Sequence, residues 1–187
     1  TIGVEFSSCR FELSDKNIRY HICRADHTKR TSVFPVRAAK TIYTVFGKDK
    51  MNVLDPCAGY SSRLIGFSVS PHGGKYTGID PCSKTYNGLV KTQYELGSMT
   101  SDHEYILMQG QAELIMSKLT EQYDCIFTSP PYFDLEKYSE EDSQSYISYS
   151  NYKEWLDNFL FVIIKESYRL LKDDGVFILN VADCRNY

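Results

Sequence analysis

From residue 32 onward, short runs rich in β-branched residues alternate with longer stretches in which apolar residues recur at helical spacing. The strand-like runs are NVLDP (52–56), KYTGID (75–80), EYILMQG (104–110), YDCIFTS (123–129) and VFILNVAD (176–183). Strands that alternate with helices form βαβ units, in which the strands lie parallel and helices cover both faces of the sheet. The sequence therefore predicts an α/β fold with a mostly parallel sheet.

The helical stretches between these runs have recognisable ends. Pro35 suits the first turn of a helix through FPVRAAKTIYTVF, and Ser83 suits the N-cap of SKTYNGLVKTQYEL. A long amphipathic helix is predicted from Asn151 to Leu171, followed by a turn at residues 173–175. Trp155 recurs at helical spacing with other apolar residues of that helix, which favours a place in the core.

Composition narrows the class of protein. The 187 residues suffice for one domain with a substantial core, and no apolar run approaches the length of about 18 residues that a membrane span needs. The six cysteines form no CxxC pair, which suits reduced thiols and a cytoplasmic protein. The first residues lack the pattern of a signal peptide, so none is expected. The chain begins at Thr1 without a methionine, and we expect it to be a piece of a longer protein.

Charge is distributed unevenly along the chain. Residues 1–50 carry ten Lys and Arg against five Asp and Glu, whereas the remainder carries eleven against nineteen. We expect a basic N-terminal segment, residues 1–31, and a catalytic domain, residues 32–187. A basic segment can follow a phosphate backbone, although a solvated face without a partner explains the charge equally well. The candidate phosphate ligands are Arg10, Arg19, Arg24, Lys29 and Arg30. Cys9, His21, Cys23 and His27 lack the paired spacing of a zinc site, so no metal is expected.

Polar and turn-forming residues follow the predicted strands. Parallel sheets bind ligands at the carboxyl ends of their strands, and Asp55 and Asp80 lie at two of these ends. The first turn lacks the G-x-G-x-x-G pattern of a pyrophosphate site, which favours a nucleoside without phosphates. Gly59 would let the backbone approach such a ligand, Asp55 would accept an ammonium group, and Asp80 would accept both ribose hydroxyls. Gly59 as an ordinary turn residue and Asp80 as a helix cap are equally good readings.

The stretch FTSPPYFDLEKY (127–138) places two prolines directly after an apolar run. Pro130 and Pro131 remove two backbone donors and fix two φ angles, so the preceding strand ends there. Ser129 and Pro130 are themselves each followed by a proline and are held extended, which leaves nearby carbonyl groups uncommitted to helix or sheet. The pattern indicates either a tight structural turn or a binding site.

Together, VLDPCAGYSSRLIG, YTGIDP and TSPPYFDLEKY, in that order after FPVRAAKTIY, resemble the S-adenosylmethionine-dependent DNA amino-methyltransferases. These enzymes modify the exocyclic nitrogen of cytosine or adenine. The resemblance extends from about Phe34 to Asp183 and implies a Rossmann-like methyltransferase fold with S-adenosylmethionine as cofactor and DNA as partner. It also implies a place in DNA methylation and restriction-modification. The Thr-Ser-Pro-Pro-Tyr form leans slightly toward cytosine.

The resemblance assigns roles to individual residues. Cofactor binding is implied for Phe34 and Pro35 beside the methionine portion, for Asp55, Ala58 and Gly59 in the cofactor loop, for Asp80 at the ribose, and for Gln111 at the adenine amino group. Catalysis is implied for Ser129, Pro130, Pro131 and Tyr132. Fixed acceptors favour the pyramidal form of an exocyclic amine and so free its lone pair, while Tyr132 stacks on a base rotated out of the duplex. No metal and no covalent thiol are required.

The chain departs from the family pattern at several points. Ser61 stands where the cofactor loop commonly has glycine, and Gln111 replaces an acidic residue. The last two strands of the family sheet and the recognition domain are missing, so sequence specificity lies in a domain or subunit outside this chain, in the N-terminal segment, or nowhere.

Other activities remain open. The same acceptor geometry would suit methylation of RNA or of a protein side-chain amide, and a catalytically inactive nucleic-acid-binding module is a further alternative. The tyrosines that follow the proline motif, at positions 138, 146, 149 and 152, would stack on bases or close over the site.

Overall fold

A computed structural model of the chain describes residues 5–6, 9–10, 33–99, 102–133 and 137–181. The chain divides into two compact units, Thr1–Ser32 and Val33–Tyr187. In the first unit, strands β1 (Glu5–Phe6) and β2 (Cys9–Arg10) pair antiparallel. The side chains of the basic residues and of the Cys and His residues considered above for this unit lie outside the described part of the chain, so their roles stay predictions.

The second unit is built on a five-stranded parallel sheet. Its strands are β3 (Met51–Asp55), β4 (Gly74–Asp80), β5 (His103–Gln109), β6 (Tyr123–Thr128) and β7 (Leu171–Leu179). They lie in the order β5-β4-β3-β6-β7, so the direction of winding reverses between β3 and β6. Ligands of open α/β sheets bind at such a reversal. The predicted parallel sheet is confirmed.

Helices cover both faces of this sheet. They are α1 (Val36–Phe46), α2 (Ser62–Ser68), α3 (Ser83–Gly97), α4 (Ala112–Met116), α5 (Ser145–Ser148), α6 (Tyr152–Trp155), a π-helical turn (Leu156–Leu160) and α7 (Phe161–Leu170). Among the described residues, no helix has both the length and the apolar character required to cross a membrane.

Two apolar clusters form the core, one on each face of the sheet. Side chains alternate between the faces along a strand, so Val53 joins the cluster beneath α1 to α3, whereas Leu54 joins the cluster beneath α4, α6 and α7. Phe127 and Ile126 divide in the same way on β6. Trp155 is buried in the second cluster, which confirms its predicted place in the core.

The chain between residues 151 and 179 differs from the prediction in two respects. The predicted single helix contains a π-helical turn at Leu156–Leu160, and the expected turn at residues 173–175 is part of strand β7. The pairing of β6 with β7 shifts there, because Tyr123 lies opposite Leu171 whereas Cys125 lies opposite Val176. The polar residues 173–175, which predicted a turn, thus lie in a bulge of β7.

Ion pairs hold this bulge at the amino ends of the strands. The buried carboxylate of Asp124 accepts hydrogen bonds from Lys172 Nζ at 2.9 Å and from Asn52 N at 2.8 Å, and Lys48 Nζ lies 2.8 Å from it. Burial raises the pKa of Asp124, but these bonds outweigh it and hold that pKa below its usual value. Lys48 also binds Asp174 at 2.8 Å, so Lys172 and Asp174 of the bulge are both paired.

Helices α1 and α2 touch at a glycine. A Cβ atom at Gly66 would lie 2.5 Å from Ala39 Cβ and 2.9 Å from Lys40 N. Gly66→Ala is therefore expected to lower the free energy of unfolding by about 1–3 kcal/mol, because the helices must separate. Urea unfolding measures this change.

Gly88→Ala in α3 is the matched control. A Cβ at Gly88 meets no atom within 4 Å, so the same substitution should stabilise the protein by about 0.5–1 kcal/mol through helix propensity. Equal effects at the two positions would contradict the close packing of α1 on α2.

Candidate functional site

The carboxyl ends of β3, β4 and β5 bring three predicted cofactor-binding loops together. Backbone hydrogen bonds join them, from Ala58 N to Ile79 O at 2.8 Å and from Gly110 N to Asp80 O at 3.1 Å. Ala58 is buried beneath this junction. The loop after β6, which holds the proline motif, lies on the other side of β3 because β6 is the neighbour of β3 in the sheet.

Asp80 lies at the centre of these loops. One of its carboxylate oxygens accepts the N–H of Gly59 and the other accepts the N–H of Cys82, each at 3.0 Å. Burial raises the pKa of Asp80 to about 6, although the two N–H groups counteract this rise. Each oxygen of a carboxylate has two acceptor positions, so both can still accept a hydroxyl group.

The cofactor loop turns through two residues in the left-handed region. Gly59 has φ +57°, and Ser61 has φ +66° with its Oγ 3.0 Å from Thr92 Oγ1. Left-handed backbone costs a residue with a Cβ about 1–2 kcal/mol. The loop therefore keeps a conformation that favours glycine even though serine stands at position 61.

The Asp55 carboxylate, predicted to accept an ammonium group of a ligand, is occupied by partners within the protein. The carboxylate is fully buried, pairs with Arg63 through Nε at 2.7 Å and Nη2 at 3.1 Å, and accepts the Tyr76 hydroxyl at 2.7 Å. Burial lowers the pKa of Arg63, but the neighbouring charge and hydrogen bonds of Asp55 outweigh it and raise that pKa. A ligand ammonium would have to displace a buried guanidinium, so the predicted role of Asp55 is not retained.

Phe34 and Pro35 precede α1 at the edge of this ion pair. The Phe34 ring meets the Phe127 ring edge-on at 5.3 Å, and the Arg63 guanidinium lies 5.9 Å and 5.8 Å from the centres of these two rings. Pro35 is exposed and caps α1, one position before the predicted first turn. Phe34 is thus half-buried against the core, while Pro35 remains accessible.

The proline motif begins where β6 ends. Ser129, Pro131 and Tyr132 are half-buried and Pro130 is buried. Asn180, the residue after β7, donates its backbone N–H to Thr128 O and its side-chain Nδ2 to Ser129 Oγ, both at 2.9 Å. Sequence reasoning missed Asn180, because it lies within the predicted strand of residues 176–183, whereas β7 ends at Leu179.

The second aromatic residue of the motif belongs to the core. Phe133 contacts Tyr152 at 6.1 Å and Trp155 at 6.2 Å between ring centres and packs against the second apolar cluster. The turn is therefore anchored by Phe133, which leaves Tyr132 as the aromatic residue at the rim.

Residues 137–149, called the strap here, cross all three cofactor loops. The Tyr138 ring lies 5.9 Å from the Tyr60 ring, and Tyr149 donates to Glu113 Oε1 at 2.9 Å. Between these ends, the strap forms hydrogen bonds from Ser143 Oγ to Pro81 O (3.1 Å), from Ser83 N to Glu141 Oε2 (3.1 Å) and from Gln111 Nε2 to Ser148 Oγ (2.8 Å). Sequence reasoning considered its tyrosines but not these polar residues.

Two predicted contacts change because of the strap. Ser83 is the first residue of α3 rather than its N-cap, and the Glu141 carboxylate supplies the acceptor at this helix end. The Gln111 amide nitrogen donates to Ser148 Oγ, and the carbonyl oxygen is the atom of this side chain that can accept from an external amino group.

Two cysteines on β6 and in the loop after β3 are held in their thiol form by burial. Burial raises the pKa of the Cys57 thiol well above its usual value and that of the core residue Cys125 to about 12, which favours the protonated form of both. Within the described ranges, no three His, Cys, Asp or Glu side chains are grouped to hold a metal ion. The site offers oxygen acceptors, amide groups and an aromatic ring.

Residues 123–187, which contain the proline motif, match the sequence family described as DNA methylase. The resemblance of the chain to DNA amino-methyltransferases, which the sequence motifs predict, is confirmed over residues 123–187. No curated protein sequence matches the chain.

Solved structures share the fold over most of the chain. The S-adenosylmethionine-dependent methyltransferase from Agrobacterium tumefaciens is 16% identical with a TM-score of 0.56, and the alignment covers 81% of this chain and 46% of that protein. An rRNA methylase from Streptococcus thermophilus is 10% identical with a TM-score of 0.52 over 80% and 72%. TrmN from Thermus thermophilus is 17% identical with a TM-score of 0.55 over 77% and 37%. The second unit has the methyltransferase fold.

The Asp55–Arg63 pair gives a stability prediction. Asp55→Asn leaves a buried guanidinium without its counter-charge and should lower the free energy of unfolding by about 3–5 kcal/mol. Asp157→Asn, which breaks an exposed pair with Lys153, is the control and should cost less than about 1 kcal/mol. Urea unfolding of both variants measures these changes. If Asp55→Asn has the same free energy of unfolding as the wild type, the buried pair is not stabilising and Asp55 becomes a candidate ligand-binding residue again.

Proposed function

We propose that this chain, which matches the DNA methylase family over residues 123–187 and has the methyltransferase fold, transfers a methyl group from S-adenosylmethionine to an exocyclic amino group of cytosine or adenine in DNA. One observation carries the proposal. The proline motif, with Ser129 Oγ held by Asn180, follows β6 at the point where the sheet reverses its winding, and β6 is the neighbour of β3, whose loop donates Gly59 N–H to Asp80. We propose that a methyl donor bound in the loops after β3 and β4 is thereby held next to an amine at the proline motif.

The residues of the loops fit the nucleoside of this cofactor. Asp80 offers two carboxylate oxygens to the ribose, the carbonyl oxygen of Gln111 suits the adenine amino group, and Gly59 with Ala58 forms a loop without bulky side chains. Phe34 and Pro35 remain our candidates for the methionine end. When bound, the cofactor supplies a methyl group activated by a sulfonium charge.

The substrate amine requires fixed acceptors. An exocyclic amine is a poor nucleophile because its lone pair is delocalised into the ring. We propose that Ser129 Oγ and the Pro130 carbonyl accept its hydrogens and favour the pyramidal form, in which the lone pair is available to bond with the methyl carbon as the bond between that carbon and sulfur breaks. The methylated nitrogen would then release one of its two protons to water. Asn180 fills one acceptor position of Ser129 Oγ and so fixes the direction of the other. Positioning of this kind supplies a large part of the acceleration in reactions that need no acid or base partner.

DNA is the partner that the family match favours. A base inside a duplex cannot reach the rim of the sheet, so we propose that it rotates out and stacks on Tyr132. We propose three possibilities for sequence recognition: a domain or subunit outside this chain, residues 1–31, or no sequence specificity. RNA presents the same amino groups, so the assays below include it as an alternative substrate.

Asp80 makes cofactor affinity depend on pH. The carboxylate must be ionised to accept two hydroxyl groups, and its pKa is about 6. The affinity for S-adenosylmethionine should be constant above that pKa and fall as the pH drops below it, by up to about tenfold per pH unit.

Calorimetric titration between about pH 5 and pH 8 measures this dependence. Asp80→Asn should bind at least about tenfold more weakly at neutral pH, since it loses hydrogen bonds to a charged acceptor, and should show no such dependence. If Asp80→Asn binds S-adenosylmethionine with wild-type affinity, Asp80 does not contact the cofactor.

Tyr132 tests the transfer itself. Tyr132→Ala should lose about 1–3 kcal/mol of base contact and most of the methyl transfer, whereas Tyr132→Phe keeps the aromatic face and most of the activity. Cofactor affinity should be unchanged in both variants, because other loops hold that ligand. Methyl transfer to duplex DNA, single-stranded DNA and RNA is measured together with melting temperature.

Two outcomes would overturn the proposed role of Tyr132. One is a folded Tyr132→Ala protein that methylates at the normal rate. The other is a loss of melting temperature, cofactor affinity and activity together, which a purely structural turn predicts. If the protein methylates RNA and does not methylate DNA, RNA becomes the proposed substrate, and the proposed mechanism of methyl transfer still applies.

A further inference from the structure

The strap carries a buried amide group that the proposed function does not use. The Gln144 side chain is only 5% exposed, and its Nε2 atom has no hydrogen-bond partner among the residues that the structure describes. A buried donor without a partner is costly, and such groups in native proteins call for an explanation. Gln144 therefore marks a place where a ligand acceptor is expected.

Neighbouring contacts fix the position of Gln144. Ser143 Oγ donates to Pro81 O at 3.1 Å, directly after Asp80 in sequence, and Ser145 Oγ accepts the indole N–H of Trp155 at 3.2 Å. The strap is thus attached on both sides of Gln144. The backbone at Gln144 is therefore held between the loop after β4 and the core.

Gln144 is also joined to the predicted adenine-binding residue. Its backbone carbonyl accepts the N–H of Ser148 at 2.9 Å, and Ser148 Oγ accepts the Gln111 side chain at 2.8 Å. Gln111 and Gln144 therefore meet at the same short helix, α5. One presents a carbonyl oxygen as the acceptor that is left, and the other presents an unused N–H donor.

We propose that Gln144 is a specificity residue for the adenine ring of the cofactor. Its Nε2 donates to a ring nitrogen, while the Gln111 carbonyl oxygen accepts from the neighbouring amino group. This inference rests on the proposed function, since it requires that the nucleoside bind at Asp80. An adenine edge offers this donor and acceptor side by side, whereas a base with a 6-oxo group would face the Gln111 carbonyl with a second acceptor. In this arrangement, the strap contacts the edge of the adenine ring and gives the site its preference for adenine.

Gln144→Met separates this role from a structural one. Methionine has nearly the same length but no donor, so removal of the unpaired amide should leave the melting temperature of the ligand-free protein unchanged or raise it. Affinity for S-adenosylhomocysteine and for adenosine should fall about three- to tenfold, as the loss of one hydrogen bond predicts. A variant that gains stability and loses affinity is the signature of a binding group.

Gln109→Met is the matched control. Gln109 lies on the same rim, but its Nε2 already donates to Ser83 Oγ at 2.8 Å. Its affinity for both probes should stay within about twofold of wild type, since no ligand contact is removed. The two variants make the same chemical change at a paired and at an unpaired amide.

The outcomes distinguish the inference from its premise. Wild-type affinity in Gln144→Met overturns the role of Gln144, and so does a joint fall of melting temperature and affinity, which indicates a structural amide. A wild-type protein that binds neither S-adenosylhomocysteine nor adenosine overturns the proposed cofactor site and the inference together. Weakened binding of both probes, with melting temperature maintained, supports the inference and places the contact at the nucleoside.

Discussion

The buried ion pair between Asp55 and Arg63 connects more parts of the second unit than any other polar contact described above. Asp55 ends β3, Arg63 belongs to α2, and the Tyr76 hydroxyl on β4 donates to the same carboxylate. The guanidinium also lies against the rings of both Phe34 and Phe127, which contact each other and tie the segment before α1 to β6. The cofactor loop between Asp55 and Arg63 is thereby held at both ends.

A loop held in this way can keep strained and unpaired groups at the rim. Ser61 stays in the left-handed region, burial raises the pKa of Asp80, and Gln144 keeps an unpaired amide. At the opposite edge of the sheet, Asp124 binds Lys48 and Lys172, and its pKa is lowered. Ser61 and Asp80 thus bear a cost in stability close to the carboxyl ends of the strands, where ligands of such sheets bind.

The proline motif depends on β7 as much as on its own sequence. Pro130 and Pro131 end β6 and fix the backbone, but the direction of the Ser129 hydroxyl is set by Asn180, fifty-one residues later. Phe133 holds the turn from the core side through Trp155 and Tyr152. Rigidity at the motif therefore comes from both faces of the turn, which suits a site that acts by positioning.

Local pattern was sufficient for most of the fold. The alternation of strands and helices, the end of β6 at the prolines and the core position of Trp155 follow from periodicity and backbone chemistry, which act over a few residues. The left-handed geometry of Gly59 has the same local origin, since only glycine adopts it without cost. The bulge in β7 does not, because it depends on pairing with β6 and on Lys48 from another part of the chain.

The roles of single polar residues were decided by tertiary structure. Asp55 and Asp80 stand at equivalent strand ends in the sequence, yet Arg63 saturates the first while backbone N–H groups leave acceptor positions on the second. Asn180 and Gln144 carried no local signal at all. The sequence by itself determined which segments form strands and helices and where the loops gather. Which side chains remain available to a ligand was decided only in the folded chain, because the partners that occupy or orient a polar group lie far away in sequence.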